Sequence, residues 1–238
     1  MPGAGPAGAA KRSTSAHVFV ADLSSPALGE EDAHHLIRVL RLRPGETVGV
    51  SDGRGGWRSC RVVGSGQLEA EGPPVTEEAP WPPVTVGLAV PKGDRADWAV
   101  QKLTEVGVDR IVVLSTARSV VRWEASRATS ILQRLRRVTR EAAAQSRRVW
   151  VPEVSGVVGL DALGGPGVAL AEPGGPPLDP GVTGIAVGPE GGWAPEELAL
   201  GWPIVGLGAH VLRAETAALA AGVLLGARRA GTVGRIGR

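Results

Sequence analysis

Three glycine-rich turns in this 238-residue chain could bring bare backbone against a small ligand. Gly188-Pro189-Glu190-Gly191-Gly192 directly follows the apolar run Gly184–Val187. Leu207-Gly208-Ala209-His210-Val211 follows the apolar Pro203–Val205 and leads into Leu212-Arg213-Ala214-Glu215-Thr216-Ala217. Ala171-Glu172-Pro173-Gly174-Gly175 follows Gly167–Leu170. Glycine admits positive φ and lets a main chain approach a ligand closely. Ligands of α/β sheets bind beyond the carboxyl ends of strands. Alone, the first two turns are also plain connections into a helix, and the third is only a loop. Pro195, Glu196 and Glu197 are ordinary helix-start chemistry, and so are Glu215 and Thr216.

Other chemistries lack their residues. No segment has the phosphate-loop pattern, and Gly206-Leu207-Gly208 meets Val211 where a dinucleotide fingerprint needs a third glycine. The G-x-S-x-G elbow of a serine hydrolase is absent. Four histidines and one cysteine show no metal-ligand spacing, so no metal centre is expected. The single Cys60 excludes an internal disulfide and fits a reducing cytoplasm. No apolar run approaches a membrane-spanning length.

The turns are positioned by alternating patterns. Val84–Val90, Ile111–Leu114, Gly167–Leu170, Gly184–Val187 and Pro203–Leu207 read as strands. Helical runs near Asp94–Val106, Glu124–Gln145, Pro195–Leu200 and Ala214–Ala230 lie between and after them. This predicts an α/β domain over residues 84–238, a mostly parallel sheet with helices on both faces. Residues 16–73 read differently. His17–Val20, Thr47–Ser51, Trp57–Val63 and Leu68–Glu71 read as strands and Asp32–Leu42 as a helix. Asp52-Gly53 and Gly55-Gly56 are hairpin-type turns, so a small β-barrel is predicted. Residues 1–15, without an apolar signal core, read as a mobile tail, and the prolines within 74–83 as a stiff linker. With no Tyr and one Phe, Trp, Leu and Val must supply the core volume.

Formal net charge is only +2, but it is uneven. Nine arginines lie from Arg118 to Arg148 against Glu124 and Glu141, leaving the rest of the chain net negative. On one continuous helix Arg136, Arg140 and Arg147 would share a face, with Ile131, Leu135, Val138 and Ala142 on another. Such a face is either solvated or a phosphate-binding surface, and the excess of arginine over acid favours the second.

More of the chain carries a pattern than the turns alone. His35-Leu36-Ile37-Arg38-Val39-Leu40-Arg41 precedes Pro44-Gly45. Lys92-Gly93-Asp94 precedes Gln101-Lys102-Leu103-Thr104-Glu105-Val106-Gly107-Val108, and Glu141-Ala142-Ala143-Ala144-Gln145-Ser146-Arg147-Arg148 follows. Together with Val187 to Gly192, Leu207-Gly208 and Leu212 to Ala217, in this order, they resemble the 16S rRNA (uracil-N3)-methyltransferase family. That family lies in the SPOUT superfamily of knotted methyltransferases. His17 and Ala209-His210 stand where the family carries arginine and Pro-Arg.

The resemblance implies a PUA-like barrel for RNA binding in residues 16–73 and a trefoil-knotted methyltransferase domain in 84–238. It implies S-adenosylmethionine bound by the three turns, through Ala171, Glu172, Pro173, Gly188, Pro189, Glu190, Gly191, Gly192, Leu207, Gly208, Val211, Leu212, Arg213 and Thr216. Uracil N3 carries a proton, so catalysis needs an acceptor, either Glu190 or Glu215, and Arg213 to face the developing charge. N3 lies on the Watson–Crick edge, so the base must be unpaired. Arg38, Arg41, Lys92, Arg136, Arg140 and Arg147 would hold 16S rRNA in the small ribosomal subunit, and a homodimer is implied. A ribose 2′-O-methyltransferase of the same superfamily, or a non-catalytic RNA-binding assembly factor on the same fold, is the alternative.

Overall fold

The computed structural model describes residues 13–64, 66–90, 94–119, 125–164 and 167–232. It divides into two compact units. One holds the chain up to Ala79 together with Ala143–Val151, the other Pro80–Ala142 and Pro152 onward.

The first unit is a four-stranded sheet in the order β1 (Ala16–Phe19), β2 (Thr47–Ser51), β3 (Gly56–Val63), β4 (Gln67–Thr76). β1 pairs parallel with β2, and β2–β3–β4 is an antiparallel meander. Between β1 and β2 a helix, α1 (Glu30–His34), widens into a π-type turn over His35–Val39. Inward-facing Val18, Val48, Val50, Cys60 and Val62 meet Leu36 in an aliphatic core. Burial pushes the Cys60 thiol above its ordinary pKa, and Glu71 pushes it further against the pull of Arg58. Pro73 and Pro74, expected to open the linker near residue 74, belong to β4 instead. The β3–β4 register shifts between Trp57 and Ser59, opposite these prolines. A bulge asks no ladder hydrogen bond of them. Arg58 fills the gap by donating to the carbonyls of Leu23 (2.8 Å) and Gly72.

Residues 143–151 complete this unit. Arg54 and Trp150 form an antiparallel bridge. Gly55 N–H donates to Val149 O (3.0 Å), Val151 N–H to Gly53 O (3.0 Å) and Trp150 Nε1–H to Glu77 O (3.0 Å). Arg147, at φ +58, turns its guanidinium onto Thr14.

The second unit is a six-stranded, all-parallel sheet in the order β10-β8-β9-β5-β6-β7. Its strands are β5 (Thr85–Ala89), β6 (Arg110–Leu114), β7 (Glu153–Val158), β8 (Val168–Ala171), β9 (Gly184–Val187) and β10 (Ile204–Val205). The helices are α2 (Arg95–Glu105), α3 (Ala125–Gln145), α4 (Leu160–Leu163), α5 (Pro195–Leu198) and α6 (Ala214–Arg229). The near-continuous burial of β5 and β6 is the mark of a parallel sheet covered on both faces. Small residues let α6 pack closely. Ala218 and Ala221 are fully buried, and a Cβ on Gly222 would stand 3.0 Å from Leu103 of α2. Arg229, near the end of α6, donates to Asp109 and to the Gly107 carbonyl (2.8 Å), while Asp109 accepts the Val84 N–H (2.8 Å). Among the described residues no helix is long and apolar enough to cross a membrane.

Candidate functional site

The carboxyl ends of β8, β9 and β10 lie side by side, because β9 inserts between β8 and β5 and β10 adds outside β8. The three glycine-rich turns therefore meet, although 31 residues lie between the first and the last. They surround a cavity of about 380 Å³. The first turn contributes Ala171, Glu172 and Pro173, and the second Val187, Gly188, Pro189, Glu190, Gly192 and Trp193. The third contributes Leu207, Gly208, His210, Val211, Leu212 and Arg213, with Ala214 and Ala217 from α6. The walls are mainly apolar, with Glu172, Glu190, His210 and Arg213 the titratable residues among them.

Local chemistry fixes each wall. Gly192, at φ +68, donates its N–H to Pro189 O (2.9 Å), closing a turn that presents Glu190. Gly188 lies on the indole of Trp193, where an added Cβ would come within 3.1 Å of the ring. The same indole donates Nε1–H to Ala171 O (2.9 Å), tying the first turn to the second. The first and third turns are laced by Glu172 N–H to Val205 O (3.0 Å) and Gly206 N–H to Pro176 O (2.8 Å). Gly175 and Gly206 meet there backbone to backbone, since a Cβ on Gly175 would lie 2.7 Å from Gly206 N.

The second turn is also clipped to the loop after β6. Glu197 of α5 accepts Ala117 N–H (2.9 Å) through one oxygen and Ala194 N–H (2.8 Å) through the other. Arg118 donates to Gly191 O (2.9 Å).

Of the residues expected to hold the cofactor, Gly191 and Thr216 do not line the cavity. Gly191 instead faces Arg118, and Thr216 is exposed on the first turn of α6. Glu190 lines it, whereas Glu215 stands behind the wall with its side chain 13% exposed. Arg213 lines it too, extended at φ −66, ψ 154 just before α6, and forms no ion pair among the described residues. The acids face another cation. Arg95 lies 3.8 Å from Glu190 and 3.9 Å from Glu215. Arg95 follows the Lys92-Gly93-Asp94 motif at a helix start, the signal that could have marked it. Trp193 and His210 were also missed, although they adjoin the turns.

The expected RNA-binding residues are dispersed. Arg38 and Arg41 are exposed around the end of the π-type turn, Arg41 at φ +55. Arg136 and Arg140 are exposed on α3, with Arg136 Nε–H donating to Val154 O (3.1 Å). Arg147 does not share their face, because α3 ends at Gln145 and its guanidinium serves Thr14. Lys92 lies outside the described residues. Among the described residues no group of His, Cys, Asp and Glu is arranged to hold a metal ion.

Comparison with known proteins gives consistent results. The RNA methyltransferase domain family matches residues 77–164 and 172–226, and the RNA methyltransferase PUA domain family matches 28–71. A ribosomal RNA small subunit methyltransferase E from Mycobacterium bovis is 36% identical over 219 residues, covering 80% of this chain and 82% of that protein. A putative methyltransferase from Legionella pneumophila, solved in complex with the bound cofactor SAM, is 26% identical at a TM-score of 0.76, covering 89% of this chain and 97% of that one. A ribosomal RNA small subunit methyltransferase E from Neisseria gonorrhoeae, solved bound to S-adenosyl methionine, is 29% identical at a TM-score of 0.73, covering 88% and 96%.

Proposed function

The chain belongs to the ribosomal RNA small subunit methyltransferase E family, and on that footing we propose that it methylates N3 of one uridine in 16S rRNA. It is an S-adenosylmethionine-dependent rRNA methyltransferase. The observation that carries the finer reading is the convergence of three strand-end turns on one cavity, with Glu190 in its wall beside Arg213, which forms no ion pair among the described residues.

The residues present fit the cofactor. A cavity of about 380 Å³ falls within the range of small-molecule sites, with apolar walls and few polar anchors. Main-chain groups of Ala171, Gly188, Leu207, Gly208 and Leu212 would hold it, with Val187, Trp193 and Ala217 as apolar walls. When bound, S-adenosylmethionine supplies a methyl group activated by a sulfonium sulfur.

Uracil N3 becomes a nucleophile as its proton leaves. Glu190, the one of the two candidate bases that lines the cavity, accepts that proton. Arg213 faces the negative charge that spreads onto the uracil oxygens, and among the described residues its guanidinium has no carboxylate to leave first. Arg38 and Arg41 in the first unit, and Arg136 and Arg140 on α3, contact RNA phosphates.

We further read the second unit as a SPOUT domain with a trefoil knot. The insertion of β9 between β8 and β5 and the close crossing at Gly175 and Gly206 support this. A homodimer is proposed through α2 and α6, whose Trp98 and Val223 remain 41% and 45% exposed. Light scattering should give twice the chain mass. A lone, buried Cys60 suits the cytoplasm, where ribosomes are made.

The test is direct. Small ribosomal subunits from a strain lacking the enzyme are methylated in vitro, digested to nucleosides and analysed by mass spectrometry. N3-methyluridine is expected, with a reverse-transcription stop at the site. A methyl on ribose, which leaves pairing intact, would overturn the N3 assignment.

A further inference from the structure

Arg95 stands in the first turn of α2, with Nη1 3.8 Å from Glu190 Oε1 and Nε 3.9 Å from Glu215 Oε1. One guanidinium thus lies between two carboxylates brought from different parts of the chain. The two acids are not equivalent. Glu215 is 13% exposed and rides on the 16-residue α6, and its Oε2 is buried without a hydrogen-bond partner among the described residues. Glu190 is 46% exposed and rides on a short turn flanked by Gly188, Gly191 and Gly192. A carboxylate on such a turn needs an outside contact to hold its direction.

We infer that Arg95 is a positioning residue for methyl transfer: anchored by the buried carboxylate of Glu215, it holds the Glu190 carboxylate at the lip of the cavity. The inference rests on Glu190 as proton acceptor. Two carboxylates facing one site repel each other, and a guanidinium between them removes that repulsion and fixes their separation. Asp97, two residues on, pairs with Arg134 of α3 at 3.2 Å, which ties down the same turn of α2. Half-exposed pairs at nearly 4 Å add little to stability, so the consequence of the contact lies in the place where Glu190 stands. In the reaction the N3–H bond would break, its proton passing to the Glu190 carboxylate and its electron pair forming the N3–methyl bond, while the methyl–sulfur bond would break with its electron pair left on the cofactor sulfur, which departs as a neutral thioether. A carboxylate displaced by roughly an ångström no longer meets that proton.

The test uses the full-length enzyme, S-adenosylmethionine and small subunits from a strain lacking the methyltransferase. Arg95→Gln should lower kcat by at least about tenfold, while KM for subunits and calorimetric cofactor affinity stay within about twofold. Its melting temperature should match that of the parent. Arg95→Lys should recover most of the rate, and Glu215→Gln should reproduce the Arg95→Gln defect. Arg95→Gln combined with Glu190→Gln should be no slower than Glu190→Gln alone, because Arg95 acts through that acid. A loss confined to KM or cofactor affinity, or additive losses in the double variant, overturns the inference and leaves Glu190 in its role. An undiminished kcat in Glu190→Gln overturns the underlying reading as well.

Discussion

Single side chains decide the shape of the cavity more than its chemistry. Gly188 and Gly191 look alike in the sequence, yet an added Cβ would press into Trp193 at the first and reach only ordinary contact with Arg118, 3.4 Å, at the second. Gly188→Val should therefore weaken calorimetric S-adenosylmethionine affinity by at least about tenfold, and Gly191→Ala by less than about threefold. Arg213 presents a different case. Its proposed partner is charge that develops only during reaction, so Arg213→Ala should cut the single-turnover rate by roughly a hundredfold. Cofactor affinity should fall by less than about tenfold. Equal losses in the two measurements would make Arg213 a ground-state binding group.

At the scale of elements, loops are held by contacts far apart in sequence. Glu197 caps α5 and also fixes the loop after β6 through Ala117. Glu197→Ala should cost about 1 kcal/mol in chemical denaturation, as loss of a cap does. It should also weaken cofactor binding, because Arg118 would lose its fixed approach to Gly191. The helix α3 carries the RNA reading. Arg136→Glu with Arg140→Glu should lower the log–log salt slope of RNA binding by roughly 1–2. Cofactor affinity should be unchanged. An unaltered slope would return the helix to a solvated face. Arg147 is left out of this test because it serves Thr14 in the first unit.

For the whole molecule, α6 links the site to the fold. Its first turn lines the cavity, and its last turn is held by Arg229 on Asp109 and Gly107. Both partners are mostly buried, at 17% and 15% exposure. Removing the cation takes the guanidinium away from a mostly buried carboxylate that also accepts the Val84 N–H. Arg229→Ala should cost about 2 kcal/mol and lower the melting temperature by roughly 4–8 °C in calorimetry. An unchanged melting point would mean that α6 is held by its alanine face alone.

Much of this was legible in the sequence because it depends on near neighbours. The limits of β2 and β9, the span of α6 and the three turns follow from apolar periodicity and from glycine and proline chemistry within a few residues. The edge strand β7 did not show itself, since Gly156, at φ +93, and a register shift interrupt its apolar pattern. The pairing of residues 149–151 with 53–55 and the hydrogen bond from Trp193 to Ala171 were likewise hidden, as was Arg95 between Glu190 and Glu215. Each joins groups set by strand order and packing, which local pattern does not encode. The sequence by itself determined that three glycine-rich turns stand at strand ends and that an acid and an arginine travel with them. Only the tertiary structure decided that Glu190 rather than Glu215 lines the cavity and that Arg95 stands between the two, because parallel strands bring together residues that no local interaction connects.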